Sequence, residues 1–176
     1  MNPYVRFLRG ELGLLRPKLT IKDLNELNVT DLLERGIKAI GLDKDNVLTL
    51  PDDNAVHPRV KDPVQELSKH FELAVFSNSI GSSKDFQPSS NRHIGNVPVV
   101  EHGTRKPLGG SLLLEHFRSR LGKNLNFAQV AFIGDRKLTD IVFANANNMF
   151  SILIEPLDQS KDSNLVQVLR KIEKYL

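Results

Sequence analysis

The sequence predicts an α/β domain built on a mainly parallel sheet, and two observations support this. Five apolar runs of strand length lie at residues 37–42, 73–76, 97–100, 130–133 and 151–154. They show little polar alternation, as expected of strands that are covered on both faces. Helix-like stretches alternate with them, at residues 63–70, 108–121, 138–145 and 163–175. Such alternation is typical of a parallel sheet that lies between helices.

Composition excludes several classes of function. The 176 residues include no cysteine, which excludes disulfides, thiolate catalysis and zinc–thiolate sites. The net charge of +3 is too small to indicate nucleic-acid binding, and no motif for it is present. No run approaches the roughly 20 apolar residues that a membrane-spanning helix needs.

Residues 1–18 are predicted to form an amphipathic helix, distinct from a globular domain at residues 19–176. Its apolar and basic side chains fall on different faces. The candidate membrane-contacting residues are Tyr4, Arg6, Phe7, Leu8, Arg9, Leu12 and Leu15. A basic amphipathic helix favours an anionic membrane surface, while packing on the core or on another copy in a homo-oligomer is the alternative. An Arg-rich start also fits a mitochondrial targeting segment, although Glu11 weakens that interpretation.

A pair of carboxylates follows the first apolar run, in the sequence Asp43-Lys44-Asp45-Asn46. Parallel sheets bind ligands beyond the carboxyl ends of their strands. Two carboxylates this close repel each other, so a cation or a shared proton is expected between them. Asp43 is a candidate nucleophile that could form an aspartyl-phosphate, and Asp45 is a candidate general acid and base. A solvated turn is the alternative interpretation.

A second acidic pair, Asp135 and Asp140, follows the fourth run. Asp135 is placed to share a cation with Asp43 and Asp45, whereas Asp140 could simply cap the helix that follows. Oxygen ligands without His or Cys favour Mg²⁺ as the ion. The sequence therefore predicts a magnesium site at this edge of the sheet.

Three further polar residues follow the second and third runs. Ser77 and Asn78 could donate hydrogen bonds to a phosphoryl oxygen, and a plain turn is the alternative. Lys106 precedes a helix and could neutralise a nucleophile and a phosphoryl group, although a lone loop lysine is usually solvated.

The order of these residues resembles the four motifs of the haloacid dehalogenase superfamily. That resemblance spans residues 37–141 and implies a Rossmann-like, three-layer fold that holds Mg²⁺. It implies that Asp43 is the nucleophile and a metal ligand, and that Asp45 is the acid/base, bound to the metal through its carbonyl. It further implies that Ser77 and Lys106 bind the phosphoryl group, while Asp135 ligates the metal and Asp140 supports it.

The residues within these motifs indicate one branch of the superfamily. Asp43-Lys44-Asp45-Asn46, Ser77-Asn78-Ser79, Arg105-Lys106-Pro107 and the 134–140 segment are similar to those of the mitochondrial phosphatidylglycerophosphate phosphatases of fungi and plants and their bacterial relatives. That family implies hydrolysis of phosphatidylglycerophosphate toward cardiolipin, by a peripheral enzyme on the matrix side of the mitochondrial inner membrane. Arg105 and Arg136 are candidates for headgroup binding, because they flank the site.

Loop lengths predict an open site. Only 33 residues separate Asp43 from Ser77 and 28 separate Ser77 from Lys106, which leaves no room for a sizeable cap domain. An open site suits a substrate that is anchored in a lipid surface. A capless phosphatase for a phosphoprotein or a soluble ester, and a non-catalytic scaffold on a membrane, are the alternatives.

Overall fold

A five-stranded sheet forms the centre of the protein, in a computed structural model that describes residues 12–81, 93–162 and 164–173. The strands are β1 (Leu19–Ile21), β2 (Ala39–Leu42), β3 (Glu72–Val75), β6 (Val130–Gly134) and β7 (Phe150–Ile154). Their order in the sheet is β1-β7-β6-β2-β3, and every pair of neighbours is parallel. A separate antiparallel hairpin pairs β4 (His93–Ile94) with β5 (Val97–Pro98).

Helices cover both faces of the sheet, so the predicted three-layer α/β fold is confirmed. The helices are α1 (Val29–Glu34), α2 (Pro58–Ser68), α3 (Gly110–Leu121), α4 (Val142–Ala146) and α5 (Asn164–Glu173). Side chains of α1 and α2 pack with Ile40 and Leu42 on one face of β2. Side chains of α3 and α4 pack with Ala39 on the other face. The alternation of residues along β2 thus fills both apolar layers.

The register of β2 with its neighbours places the predicted site residues together. Leu42 lies opposite Val75 of β3 and Ile133 of β6, so these three strands end at one edge of the sheet. The segments that follow them carry Asp43, Ser77 and Asp135.

Two of the predicted elements differ from the observed ones. The run at 97–100 does not form a full strand of the main sheet, because only Val99 bridges Val75 and Pro98 has no N–H to donate. Helix α2 begins at Pro58 rather than at Pro63, which lies inside the helix. Proline suits the first position of a helix because its missing N–H would have no partner there.

The first strand and the first helix were not predicted. Strand β1 has three residues and pairs only with β7, so its sequence carries little periodic signal. Helix α1 has six residues and is capped by Asn28, whose side chain accepts a hydrogen bond from Asp31 N.

The described part of the N-terminal segment packs on the domain. Leu14 and Leu15 are buried against Val142, and Leu15 is only 1% exposed. The Asn145 side chain donates to the carbonyls of Leu14 and Arg16, at 2.8 and 2.9 Å. For Leu15, packing on the core is therefore observed and membrane contact is not. The Leu12 backbone is helical, and the other predicted membrane-contacting residues lie outside the described residues. Within the described ranges, no helix is long and apolar enough to span a membrane.

Candidate active site

Asp43 and Asp45 have different surroundings at the end of β2. Asp43 N donates to Ile133 O at 2.9 Å, which extends the pairing of β2 with β6 by one residue. Its carboxylate is mostly buried and accepts a hydrogen bond from Lys44 N at 2.8 Å. The Asp45 side chain is 31% exposed and pairs with Lys44 Nζ at 2.8 Å. Asp43 therefore faces the interior of the site, while Asp45 lies at its rim.

Lys106 joins the two acidic motifs. Its Nζ lies 2.9 Å from Asp43 Oδ1 and 2.6 Å from Asp140 Oδ1, and its side chain is 1% exposed. Burial alone would lower the pKa of Lys106, but the charges of Asp140 and Asp43 outweigh it and raise the pKa. The ammonium thus stays charged, and the lysine is not the solvated loop residue of the alternative interpretation.

Asn78 holds the backbone of Lys106 in place. Asn78 Oδ1 accepts from Lys106 N at 2.6 Å, and Asn78 Nδ2 donates to Lys106 O at 3.4 Å. This amide positions the lysine loop, and because Asn78 also lines the site cavity, its predicted contact with substrate stays a prediction. Ser77 is buried at the same edge, with Oγ 3.2 Å from Ser79 Oγ, and both serines line the site.

Asp140 lies directly behind Asp135 in the second acidic motif. Asp140 belongs to a turn of π-helix at Lys137–Ile141, is fully buried, and accepts from Arg136 N at 3.1 Å through Oδ2. A Cβ on Gly134 would lie 2.3 Å from Asp140 Cβ, so only glycine leaves room for this side chain. Asp140 does not cap α4, whose N-cap residue is Ile141, and its other oxygen binds Lys106.

Three buried carboxylates converge in the site. Oxygen atoms of Asp43, Asp135 and Asp140 all lie within 4.8 Å of one another. Burial, reinforced by Asp140, raises the pKa of Asp135 to about 8. Burial also raises the pKa of Asp140 to about 6, against the opposing charge of Lys106. The cluster therefore favours either bound protons or an additional cation.

This donor set fits a divalent cation. In the described ranges, the ion-pair partners of these three carboxylates are Lys106 and Arg170. Two cations do not balance three ionised carboxylates, so the ionised cluster has a net negative charge. A hard, all-oxygen site of this kind suits Mg²⁺, which binds through a few carboxylates and keeps several waters. The predicted magnesium site is thus compatible with the structure, because carboxylate oxygens of Asp43, Asp135 and Asp140 lie close enough together to surround one ion.

Arg170 is a site residue that the sequence did not reveal. It comes from α5 and pairs with both Asp135 and Asp162. Burial would lower the pKa of Arg170, but the bonds to Asp162 and Asp135 raise it. No local motif marks this arginine, because the site carboxylate that it binds, Asp135, lies 35 residues away along the chain.

The two arginines predicted to bind a headgroup lie in different places. Arg136 lines the site, and its Nε is buried without a hydrogen-bond partner among the described residues. Arg105 is exposed and does not line the site cavity, so the structure does not place it with the others.

A cavity of about 270 Å³ lies over these residues. Its walls are Asp43, Asp45, Asn46, Pro51, Asp52, Ser77, Asn78, Ser79, Lys106, Asp135, Arg136, Thr139, Asp162, Val166 and Arg170. In the described segments between Asp43 and Lys106, the regular elements are α2, strand β3 of the main sheet and the β4–β5 hairpin, so these segments contain no cap domain. A larger cavity of about 520 Å³ lies between α2 and that hairpin, and none of the predicted site residues lines it.

Comparison with known proteins places most of the chain in a known family. The family described as "Mitochondrial PGP phosphatase" matches residues 7–157. The chain is 32% identical over 168 residues to phosphatidylglycerophosphate phosphatase 1, chloroplastic/mitochondrial, of Arabidopsis thaliana, covering 91% of this chain and 46% of that protein. It is 30% identical to the chloroplastic phosphatidylglycerophosphate phosphatase 1 of Chlamydomonas reinhardtii, covering 94% of this chain and 62% of that protein.

A third relative matches over most of its own length. The mitochondrial phosphatidylglycerophosphatase of Saccharomyces cerevisiae is 28% identical, covering 93% of this chain and 90% of that protein. The chain thus spans about half to two thirds of the length of the two plant and algal relatives, and nearly all of the yeast one.

Proposed function

This chain belongs to the mitochondrial PGP phosphatase family, and from that premise we propose that it hydrolyses phosphatidylglycerophosphate to phosphatidylglycerol and phosphate. The observation that carries the proposal is the Lys106 ammonium between Asp43 and Asp140, with Asp135 beside them. Buried carboxylates around one fixed cation suit the transfer of a phosphoryl group. The lipid substrate is proposed from the names of the relatives. A role in cardiolipin synthesis is part of the same proposal.

The chemistry that we propose has two steps. A carboxylate oxygen of Asp43 attacks phosphorus, the bond to the glycerol oxygen breaks, and Asp45 gives that oxygen its proton. Asp45 then takes a proton from water, the water oxygen attacks the aspartyl-phosphate, and phosphate leaves as Asp43 is regenerated. The rim position of Asp45, 31% exposed, suits a group that must meet both leaving group and water.

A magnesium ion would supply charge neutralisation for the transferring phosphoryl group when bound. Asp43 and Asp135 would hold it with their side chains, Asp140 would support it, and Asp45 would contribute its backbone carbonyl. Lys106 and Ser77 would neutralise and orient the phosphoryl oxygens.

Recognition of the remaining headgroup is assigned to Arg136. Phosphatidylglycerophosphate carries a second, diester phosphate beyond the one that is removed, and a guanidinium suits it. Arg136 lines the cavity and forms no ion pair with a described carboxylate, unlike Lys106 and Arg170. This makes it the available cation for a second phosphate.

The N-terminal segment supports a location at a membrane surface. The first part of the basic amphipathic segment predicted at residues 1–18 would dock on anionic lipid, and each Arg near the surface would contribute about 1 kcal/mol. We propose a peripheral enzyme on the matrix side of the mitochondrial inner membrane, since names of the relatives include mitochondrial proteins.

The decisive experiment measures phosphate release from phosphatidylglycerophosphate in mixed micelles, with Mg²⁺ and with EDTA. We expect Mg²⁺-dependent turnover that exceeds turnover of a soluble aryl phosphate. Deletion of residues 2–11, which spares the packed Leu14 and Leu15, should lower activity on vesicles more than on the soluble ester. If the protein turns over the soluble ester faster than the lipid, and the deletion changes neither rate, the result would favour the alternative, a phosphatase for soluble or protein substrates. Absence of Mg²⁺-dependent activity on any ester would contradict the proposal and favour a non-catalytic scaffold.

A further inference from the structure

Helix α5 reaches the candidate active site through Arg170, whose guanidinium joins two carboxylates. Its Nε donates to Asp162 Oδ2 at 2.5 Å, its Nη1 donates to Asp135 O at 3.1 Å, and its Nη2 pairs with Asp135 Oδ2. The side chain of Arg170 is 11% exposed, and both carboxylates are buried. A planar fork that is held at two edges is fixed in position rather than solvated.

The network continues from Asp162 to the loop that carries Asp43. Asn46 Nδ2 donates to Asp162 Oδ1 at 2.8 Å, and both residues are buried. The same amide accepts from Asp158 N at 3.1 Å through its Oδ1. Asn46 has φ of 62°, a left-handed conformation that asparagine tolerates better than most residues. The Asp43 loop is thereby fixed to the segment that precedes α5.

We propose that Arg170 is a positioning residue of this active site. Together with Asp162 and Asn46, it holds Asp135 and the Asp43 loop at the separation that metal binding and phosphoryl transfer require, so this inference rests on the proposed function. Arg170 acts through Asp135. The family match ends at residue 157, so neither Asp162 nor Arg170 lies within it.

The expected loss of Mg²⁺ affinity is estimated from residues that orient metal-ligating carboxylates in other proteins. A group that orients a metal-ligating carboxylate typically contributes about 10–100-fold to metal affinity or activity. Arg170→Met leaves Asp135 facing Asp140 and Asp43 without its partner, and frees Asp162 from the helix. Arg170→Lys keeps the charge, but lysine lacks the separate Nε, Nη1 and Nη2 donors with which Arg170 binds Asp162 and the carbonyl and carboxylate of Asp135.

Calorimetric titration with Mg²⁺ tests the positioning role of Arg170 independently of turnover. We expect Arg170→Met to weaken Mg²⁺ binding by about 10–100-fold and Arg170→Lys to restore only part of it. Lys171→Met, which removes an exposed basic residue one position along the same helix, should bind Mg²⁺ as the parent does. Turnover of a soluble aryl phosphate should show a matching rise in the Mg²⁺ concentration for half-activation.

A second variant separates positioning from simple loss of structure. Asp162→Asn should weaken Mg²⁺ binding although it leaves Asp135 and its bond to Arg170 in place, and the double variant should be no weaker than Arg170→Met alone. A folded Arg170→Met or Asp162→Asn protein with parental or tighter Mg²⁺ affinity would overturn the inference. If Arg170→Met does not fold, Arg170→Lys and Asp162→Asn decide by the same criterion. A parent that binds Mg²⁺ but hydrolyses no ester would contradict the proposed function and still leave this comparison valid.

Discussion

Lys106 Nζ lies 2.9 Å from Asp43 Oδ1, so the ammonium contacts the carboxylate that we assign as the nucleophile. The same nitrogen lies 2.6 Å from Asp140 Oδ1. One cation therefore links the carboxylate after β2 to the acidic motif after β6. This link explains why a lysine from a distant loop is fully buried.

Replacement of Lys106 by methionine should affect both activity and stability. We expect kcat to fall by about 10²–10³-fold, since a fixed charge on the transferring group is lost. Removal of one partner from a buried ion pair should lower the free energy of unfolding by about 3–5 kcal/mol. Urea unfolding and steady-state assays would measure the two effects. Lys69→Met, which removes an exposed partner of Glu66, should change neither appreciably. A Lys106→Met protein with near-parental kcat would contradict the role.

Asp43→Asn should abolish turnover while the protein stays folded. The amide keeps the size of the side chain but is no longer a carboxylate nucleophile, and Lys106 keeps its bond to Asp140. The readout is phosphate release together with the circular dichroism spectrum. Asp31→Asn, at an exposed pair with Arg35, is the matched control and should stay active. Retained phosphate release by folded Asp43→Asn would remove Asp43 as the nucleophile.

The sequence could predict the residues that follow strands but not the contacts between distant segments. Asp43 and Asp135 were recognisable because each comes directly after a long apolar run, and parallel strands bring such positions to one edge. Arg170 offered no such signal, since one basic residue of an amphipathic helix resembles any other. Its role depends on how α5 packs over the site.

The sequence pattern also does not reveal the tertiary contacts of Asn78 and of strand β1. The position of Asn78 after a strand and beside Ser77 predicts a phosphate ligand, and the structure adds that its amide oxygen accepts a hydrogen bond from Lys106 N. Strand β1 is held by pairing with β7 rather than by its own pattern. In both cases the structure shows tertiary contacts that single-sequence patterns do not contain.

Gly134→Ala should damage the site through Asp140. The new methyl would meet Asp140 Cβ at 2.3 Å, so Asp140 or the backbone beside it must shift from the position that binds Lys106. Overpacking of this kind should lower the free energy of unfolding by about 1–3 kcal/mol, and turnover should fall with it. Gly103→Ala is the control, because nothing lies within 4 Å of its Cβ. Equal unfolding midpoints and activities for the two variants would show that Asp140 does not need this space.

Stability without metal should fall as pH rises. Burial, with Asp140 nearby, raises the pKa of Asp135 from an ordinary 3.8 to about 8. Between about pH 4 and 8 the folded state therefore keeps a proton that the unfolded state has released, and the slope of unfolding free energy with pH is negative. One such proton corresponds to at most about 1.4 kcal/mol per pH unit.

Chemical unfolding in EDTA from pH 5 to 8.5 would measure this slope, and Asp135→Asn should remove much of it. Mg²⁺ should reverse the trend, because ionised carboxylates bind the ion and protonated ones do not. Binding should accordingly release protons, detectable as a buffer-dependent heat in calorimetry. An identical slope in the parent and in Asp135→Asn would mean that Asp135 is already ionised near neutral pH, and that Arg170 neutralises it without help from a metal.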